Sequence, residues 1–119
     1  MYSVLLTDDA QKDFEELYTF ILINDVPGKA DYVLDQIEKA VNGLTEYPER
    51  GVFPKELLKL GIKEYREVFF KPYRVIYRIR EDNVYVMLIT DGRRDMQTLL
   101  SRRLLESWIQ KWFFLGGYF

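Results

Sequence analysis

From residue 65 to residue 95 the chain reads YREVFFKPYRVIYRIREDNVYVMLITDGRRD. Three stretches in it, 65–70, 73–80 and 84–90, are dense in Val, Ile, Tyr and Phe and bounded by turn residues, the pattern of consecutive β-strands. Lys71-Pro72 makes the first break, because proline has no N–H to give to a ladder. Glu81-Asp82-Asn83 makes the second, a short polar turn suited to a hairpin. A three-strand antiparallel meander is therefore the element around which the rest must fold.

Side chains alternate across a strand. Arg74, Ile76, Arg78 and Arg80 then share one face, and Tyr73, Val75, Tyr77 and Ile79 the other. The second set suits a core. The first, joined by Arg66 from the neighbouring strand, is expected to form a cationic strip on an open face, extended by Lys71, Arg93 and Arg94. Arginine suits such a strip because its planar fork binds phosphate or carboxylate at two points. A simpler reading pairs Arg66, Arg74 and Arg78 with Glu64, Glu67 and Asp91 across the sheet, each pair contributing about 0.2–1 kcal/mol.

Upstream, Tyr2–Leu6 reads as a first strand and Thr7 as the cap of a helix with Asp8 and Asp9 in its first turn. Phe14, Leu17, Tyr18, Ile21 and Leu22 recur at helical spacing. After the break at Asn24-Asp25-Val26-Pro27-Gly28, a second helix carries Ala30, Val33, Leu34, Ile37, Val41 and Leu44 on one stripe. The two form an antiparallel hairpin laid on the sheet. Residues 48–63 are a loop with Pro48, Gly51, Pro54 and Gly61, and Leu57, Leu58 and Leu60 are expected to pack beneath it. Asp95 opens a last helix through Met96, Leu99, Leu100 and Leu104, on toward Trp112. The order β-α-α-β-β-β-α makes an α+β domain of small, mostly antiparallel sheet.

At 119 residues the chain supports one domain with a modest core. It has no cysteine and no histidine, so thiolate chemistry, disulfides and the usual general base are excluded. Neither a cofactor nor a metal is expected. Charge is segregated: residues 1–61 hold six Lys/Arg against twelve Asp/Glu, and residues 62–103 hold ten against six. That asymmetry points to an anionic partner for the second half. The N-terminus shows no signal-peptide core, which predicts a cytoplasmic protein.

The succession Tyr-Arg-Val-Ile-Tyr-Arg-Ile (73–79), an apolar strand, then Asp-Gly-Arg-Arg-Asp (91–95) resembles the RelE/ParE superfamily of toxins from type II toxin–antitoxin systems. The element order matches that family over about residues 2–105. The resemblance implies two functions. The RelE-like branch is a ribosome-dependent, metal-independent mRNA endoribonuclease, for which Arg74 and Arg94, with Arg66, would be catalytic. In this chain Glu67 stands where a further cation is expected, and Leu100 where a tyrosine is. The ParE-like branch, to which the chain is more similar, inhibits DNA gyrase by protein contact, without a catalytic set. Either implies a cognate antitoxin and a role in plasmid stabilisation. An inactive binding module of the same fold is a third reading. The antitoxin segment is expected to be an amphipathic acidic peptide covering the cationic face around Ile76 and Phe70.

The domain is read as residues 1–106, with 107–119 as an aromatic extension. That extension holds Trp108, Trp112, Phe113, Phe114, Leu115, Tyr118 and Phe119. It is too short to span a bilayer, which takes about 20 apolar residues. It is expected to be buried, against its own domain or in a homodimer contact.

Overall fold

The computed structural model describes residues 1–104, so the aromatic segment lies outside the described residues. β1 is Ser3–Leu6, α1 Asp8–Asn24 and α2 Lys29–Asn42. Two 3-10 turns follow at Gly43–Thr45 and Pro48–Arg50, then a one-turn α3 at Lys55–Leu58 that the loop reading did not anticipate. β2 is Arg66–Phe70, β3 Tyr73–Arg80 and β4 Asn83–Asp91. A last helix, α4, begins at 96 and is helical through 104. The Asp95 carboxylate caps it, accepting from the Thr98 backbone N–H at 3.1 Å and hydroxyl at 2.7 Å. The Thr98 hydroxyl, the larger cause, and that N–H lower the Asp95 pKa. Among the described residues no helix is long and apolar enough to cross a membrane.

The sheet order is β1-β4-β3-β2. The meander β2-β3-β4 is antiparallel, as read from the sequence, and β1 joins parallel to β4. Its partner span is only Asn83 to Val86. β4 therefore continues past the end of β1 with one edge uncovered by any strand among the described residues. Between Ile76↔Leu88 and Tyr77↔Val86 the register slips by one, making Met87 an extra residue. That bulge reverses which backbone groups of β4 face its outer edge.

One face of the sheet receives α1 and α2. Thr7 caps α1 by accepting from the Ala10 N–H at 3.1 Å. Ala30, Val33, Ile37, Val41 and Leu44 pack on Val68, Val75, Tyr77, Val84, Val86 and Ile89, with Phe14, Leu17 and Tyr18 at the margin. Leu22, read as part of this stripe, is instead exposed, since it lies on the outer flank of α1. Tyr77 is fully buried, and its hydroxyl accepts from the Gly51 N–H at 3.0 Å and donates to the Pro48 carbonyl at 2.6 Å. A Cβ at Gly51 would stand 2.5 Å from that oxygen, so only glycine lets the loop seat there.

The reverse face is covered too. Ile76, Met87 and Leu88 pack under Met96 and Leu100 of α4, with Leu57 and Tyr65. Leu57 is buried as expected, but Leu58 and Leu60 are exposed, because the single turn of α3 aims only one leucine inward. Burying both faces makes the apolar positions of the central strand core on either side. Ile76 is 0% exposed, which removes the open face on which the cationic strip was expected.

Candidate functional site

Arg74 is only 7% exposed. Its Nε donates to Glu67 Oε1 at 2.6 Å, and its two Nη atoms donate to the two oxygens of Glu56 at 2.9 and 2.8 Å. The register places Glu67 beside Ile76 and Phe69 beside Arg74, so Glu67 and Arg74 share the reverse face. Glu56 arrives from α3, which docks above them. A Cβ at Gly92 would run into Arg74 Cδ, so the turn after β4 must be glycine for the guanidinium stem to fit. The bidentate bond to Arg74 is the largest influence on Glu56 and lowers its pKa from 4.5 to about 2. Burial outweighs Arg74 for Glu67 and pushes its carboxyl upward. Hydrogen bonding to Glu56 holds Arg74 firmly protonated.

The other candidate cations scatter. Arg66 pairs with Tyr77 in the ladder and so projects on the helix side of the sheet, opposite to Arg74. It donates to the carbonyls of Gly51 at 2.9 Å and Glu49 at 3.2 Å, with its guanidinium 4.6 Å from the Phe53 ring centroid. Alternation holds along each strand, but the β2–β3 register puts position 66 out of phase with 74. Arg78 lies 5.7 Å from the Tyr65 ring centroid, and its buried Nε has no hydrogen-bond partner among the described residues. Burial, the main cause, raises the Tyr65 hydroxyl pKa, and Arg78 opposes it. Lys71 and Arg80 are exposed at opposite ends of β3.

Arg93 is exposed and pairs with Asp91 at 2.6 Å, which lowers the Asp91 pKa. Arg94 is exposed, with Nη1 at 3.4 Å from Thr90 Oγ1. Leu100 is 1% exposed in the reverse-face core. The cationic strip is therefore corrected. Of the readings made from sequence, the pairing of Arg74 with Glu67 is present, whereas Arg66 and Arg78 do not join it. Arg74 and Arg94, the two positions the resemblance would make catalytic, are not brought to one cleft open to a phosphodiester. Ile76 is buried and Phe70 turns to the helix side, stacked on Tyr73 at 6.5 Å, so neither lies between exposed arginines as the cationic-face reading expects.

Three residues have roles that no sequence pattern marks, and two of them organise a different place. The Asp13 carboxylate accepts from the Ile89 N–H at 3.0 Å and binds both Nη atoms of Arg103 at 2.9 Å. Arg103 Nη1 also donates to the Met87 carbonyl at 2.7 Å. This side-chain pair thus takes up two backbone groups on the outer edge of β4, where a strand would otherwise bond. Glu56 is the third. None has a local signature: Asp13 and Arg103 are 90 residues apart and each looks like ordinary helix-surface charge.

Beside that clamp a groove of about 510 Å³ opens between the second half of α1 and the end of β4. Leu17, Phe20, Ile21, Tyr73 and Ile89 give it an apolar floor, and Glu16, Asp25, Asp91, Arg93 and Arg94 stand around it.

A family model described as the ParE toxin of the type II toxin–antitoxin system parDE matches residues 4–96. Toxin ParE3 from Caulobacter vibrioides (strain ATCC 19089 / CIP 103742 / CB 15) is 24% identical over 103 residues, covering 87% of this chain and 99% of that protein. A solved structure described as the chromosomal ParDE TA system from P. aeruginosa superposes with a TM-score of 0.63 at 18% identity, over 76% of this chain and 96% of that one. At that identity the structural likeness speaks for the fold. The family match spans β1 through the start of α4, the whole framework that holds Arg74 and the groove, and by it the chain belongs to the ParE toxin family of type II toxin–antitoxin systems.

Proposed function

We propose that this chain is a toxin that acts by protein–protein contact on DNA gyrase, is neutralised by a cognate antitoxin, and cuts no RNA. The observation that carries this is the state of Arg74. A nuclease arginine must present its N–H groups to phosphate oxygens as charge develops. Here all of those engaged are committed to Glu56 and Glu67 at 2.6–2.9 Å inside the protein. Releasing them would leave Glu67 buried beside no cation, a cost of several kcal/mol.

The proton balance supports the same reading. Cleavage needs a group to take the 2′-hydroxyl proton near neutral pH. Arginine is too basic, histidine is absent, and the buried Leu100 stands where the ribonuclease resemblance would seek a tyrosine. Action in the cytoplasm, and a part in plasmid stabilisation, belong to the same proposal.

Expression from a tightly repressed promoter tests it. Induction should stop growth and raise the DNA-damage response while transcripts stay intact. Ribosome-dependent transcript cleavage that disappears in Arg94→Ala would overturn the gyrase reading; Arg94 is exposed, so that variant keeps its fold.

A further inference from the structure

The outer edge of β4 carries three unlike segments. From Asn83 to Val86 it is paired with β1. At Met87 and Ile89 it is occupied by Arg103 and Asp13. The Gly92 N–H bonds the Pro72 carbonyl across to β3, and the Ile89 N–H bonds away from β3, to Asp13. Since backbone groups alternate sides along a strand, the Ile89 carbonyl and the Asp91 N–H both point outward. Neither has a hydrogen-bond partner among the described residues. They open into the groove beside α1.

The groove's floor is apolar, and Phe20 beside it is 65% exposed, with Ile23 73% exposed a turn further along α1. The charges around it sort into paired acids, open acids on the α1 side, and Arg94 on the β4 side, whose Nη1 lies 3.4 Å from Thr90 Oγ1. Asp91 is held by Arg93, and Asp13 by Arg103. Glu16 and Asp25 have no ion-pair partner among the described residues. The open wall on the α1 side is thus acidic, in keeping with the excess of acids over residues 1–61.

We propose that this groove receives an extended segment of the antitoxin, which adds as a short strand to Ile89–Asp91, seats a large apolar side chain against Leu17, Phe20 and Tyr73, and presents Lys or Arg to Glu16 and Asp25. Strand addition supplies affinity through main-chain bonds, and the alternate side chains supply selectivity. At about 3.3 Å per residue the open edge takes roughly three residues of the segment. The Asp13–Arg103 pair sets where that strand must stop, because the next ladder position is already filled. The inference rests on the antitoxin-binding part of the proposed function.

The test uses the full chain co-expressed and purified with the product of the neighbouring small gene, and compared with the chain alone by amide hydrogen exchange. The Asp91 N–H should exchange fast in the isolated toxin and slowly in the complex. Glu16→Arg with Asp25→Arg should weaken binding about tenfold or more, and Phe20→Ser should weaken it as well. Asp35→Arg, on the exposed side of α2, should leave affinity unchanged. If a complex forms but the acidic-wall variants bind as tightly as the parent, or Asp91 exchange is unaltered by the partner, the groove assignment falls while antitoxin capture stands. An Asp91 amide already protected in the isolated chain also overturns the assignment, since the edge is then filled from within. Failure to recover any complex sinks antitoxin capture itself.

Discussion

Arg74 and Arg93 each hold a carboxylate at 2.6 Å, yet the two ion pairs are different objects. The Arg74 side chain is 9% exposed and is clamped from both sides by acids of a strand and of α3. The Arg93 side chain is 75% exposed and pairs with a residue two positions away in the same turn. Water decides the difference. In the first case charges have left solvent and must be balanced inside the protein; in the second, solvent screens them whether they meet or not. Contact distance is a poor guide to consequence, and burial a good one.

The largest expected effect is at the buried pair. Arg74→Met strands Glu67 without its cation and should cost about 3–5 kcal/mol in denaturant unfolding. Adding Glu67→Leu and Glu56→Gln to that variant should recover most of the loss, because removing a buried ion set as a whole is far cheaper than removing one member. If Arg74→Met is nearly as stable as the parent, solvent reaches the site and the contrast with Arg93 disappears.

A smaller effect follows from acid. The Glu56 pKa is depressed from 4.5 to about 2 by the Arg74 hydrogen bonds. Its stabilisation is fully present above pH 4.5 and disappears as pH falls toward 2, a loss of roughly 3 kcal/mol at most. Glu67 has the opposite sign: its raised pKa favours the proton in the native state and softens the acid loss. Unfolding free energies between pH 5 and 2 should therefore fall less steeply in Glu56→Gln than in the parent. Parallel curves would mean that Glu56 does not feel Arg74 in solution.

The smallest effect is at the turn. Arg93→Ala should leave the melting temperature indistinguishable from that of the parent at physiological salt. A clear drop would show that the Asp91–Arg93 pair orders the 91–94 turn and, through it, the seat of Gly92 against Arg74.

The chain alone determined the meander, the helical hairpin and the α+β order. The reason is that Tyr73, Val75, Tyr77 and Ile79 alternate while Val33, Ile37 and Val41 recur every third or fourth position, and periodicity is a local property. Thr7 and Asp95 were legible as caps for the same reason, since capping involves the next three residues. The run Tyr73–Ile79 with Asp91–Asp95 was also enough to place the family.

What tertiary structure decided is everything that depends on register and on which element covers which face. Arg66 left the company of Arg74 because β2 pairs Arg66 with Tyr77, a fact written in no local pattern. The supposed open face is buried because α3 and α4 close over Ile76. Position 74, which reads as a surface cation, is an internal one because α3 brings Glu56 to it from 18 residues away. The free outer edge of β4 exists only because β1 ends at Leu6, opposite Val86, and the bulge at Met87 turns that residue's carbonyl outward to Arg103. Alternation tells that a side chain turns to one face of a strand; only packing tells whether that face meets water.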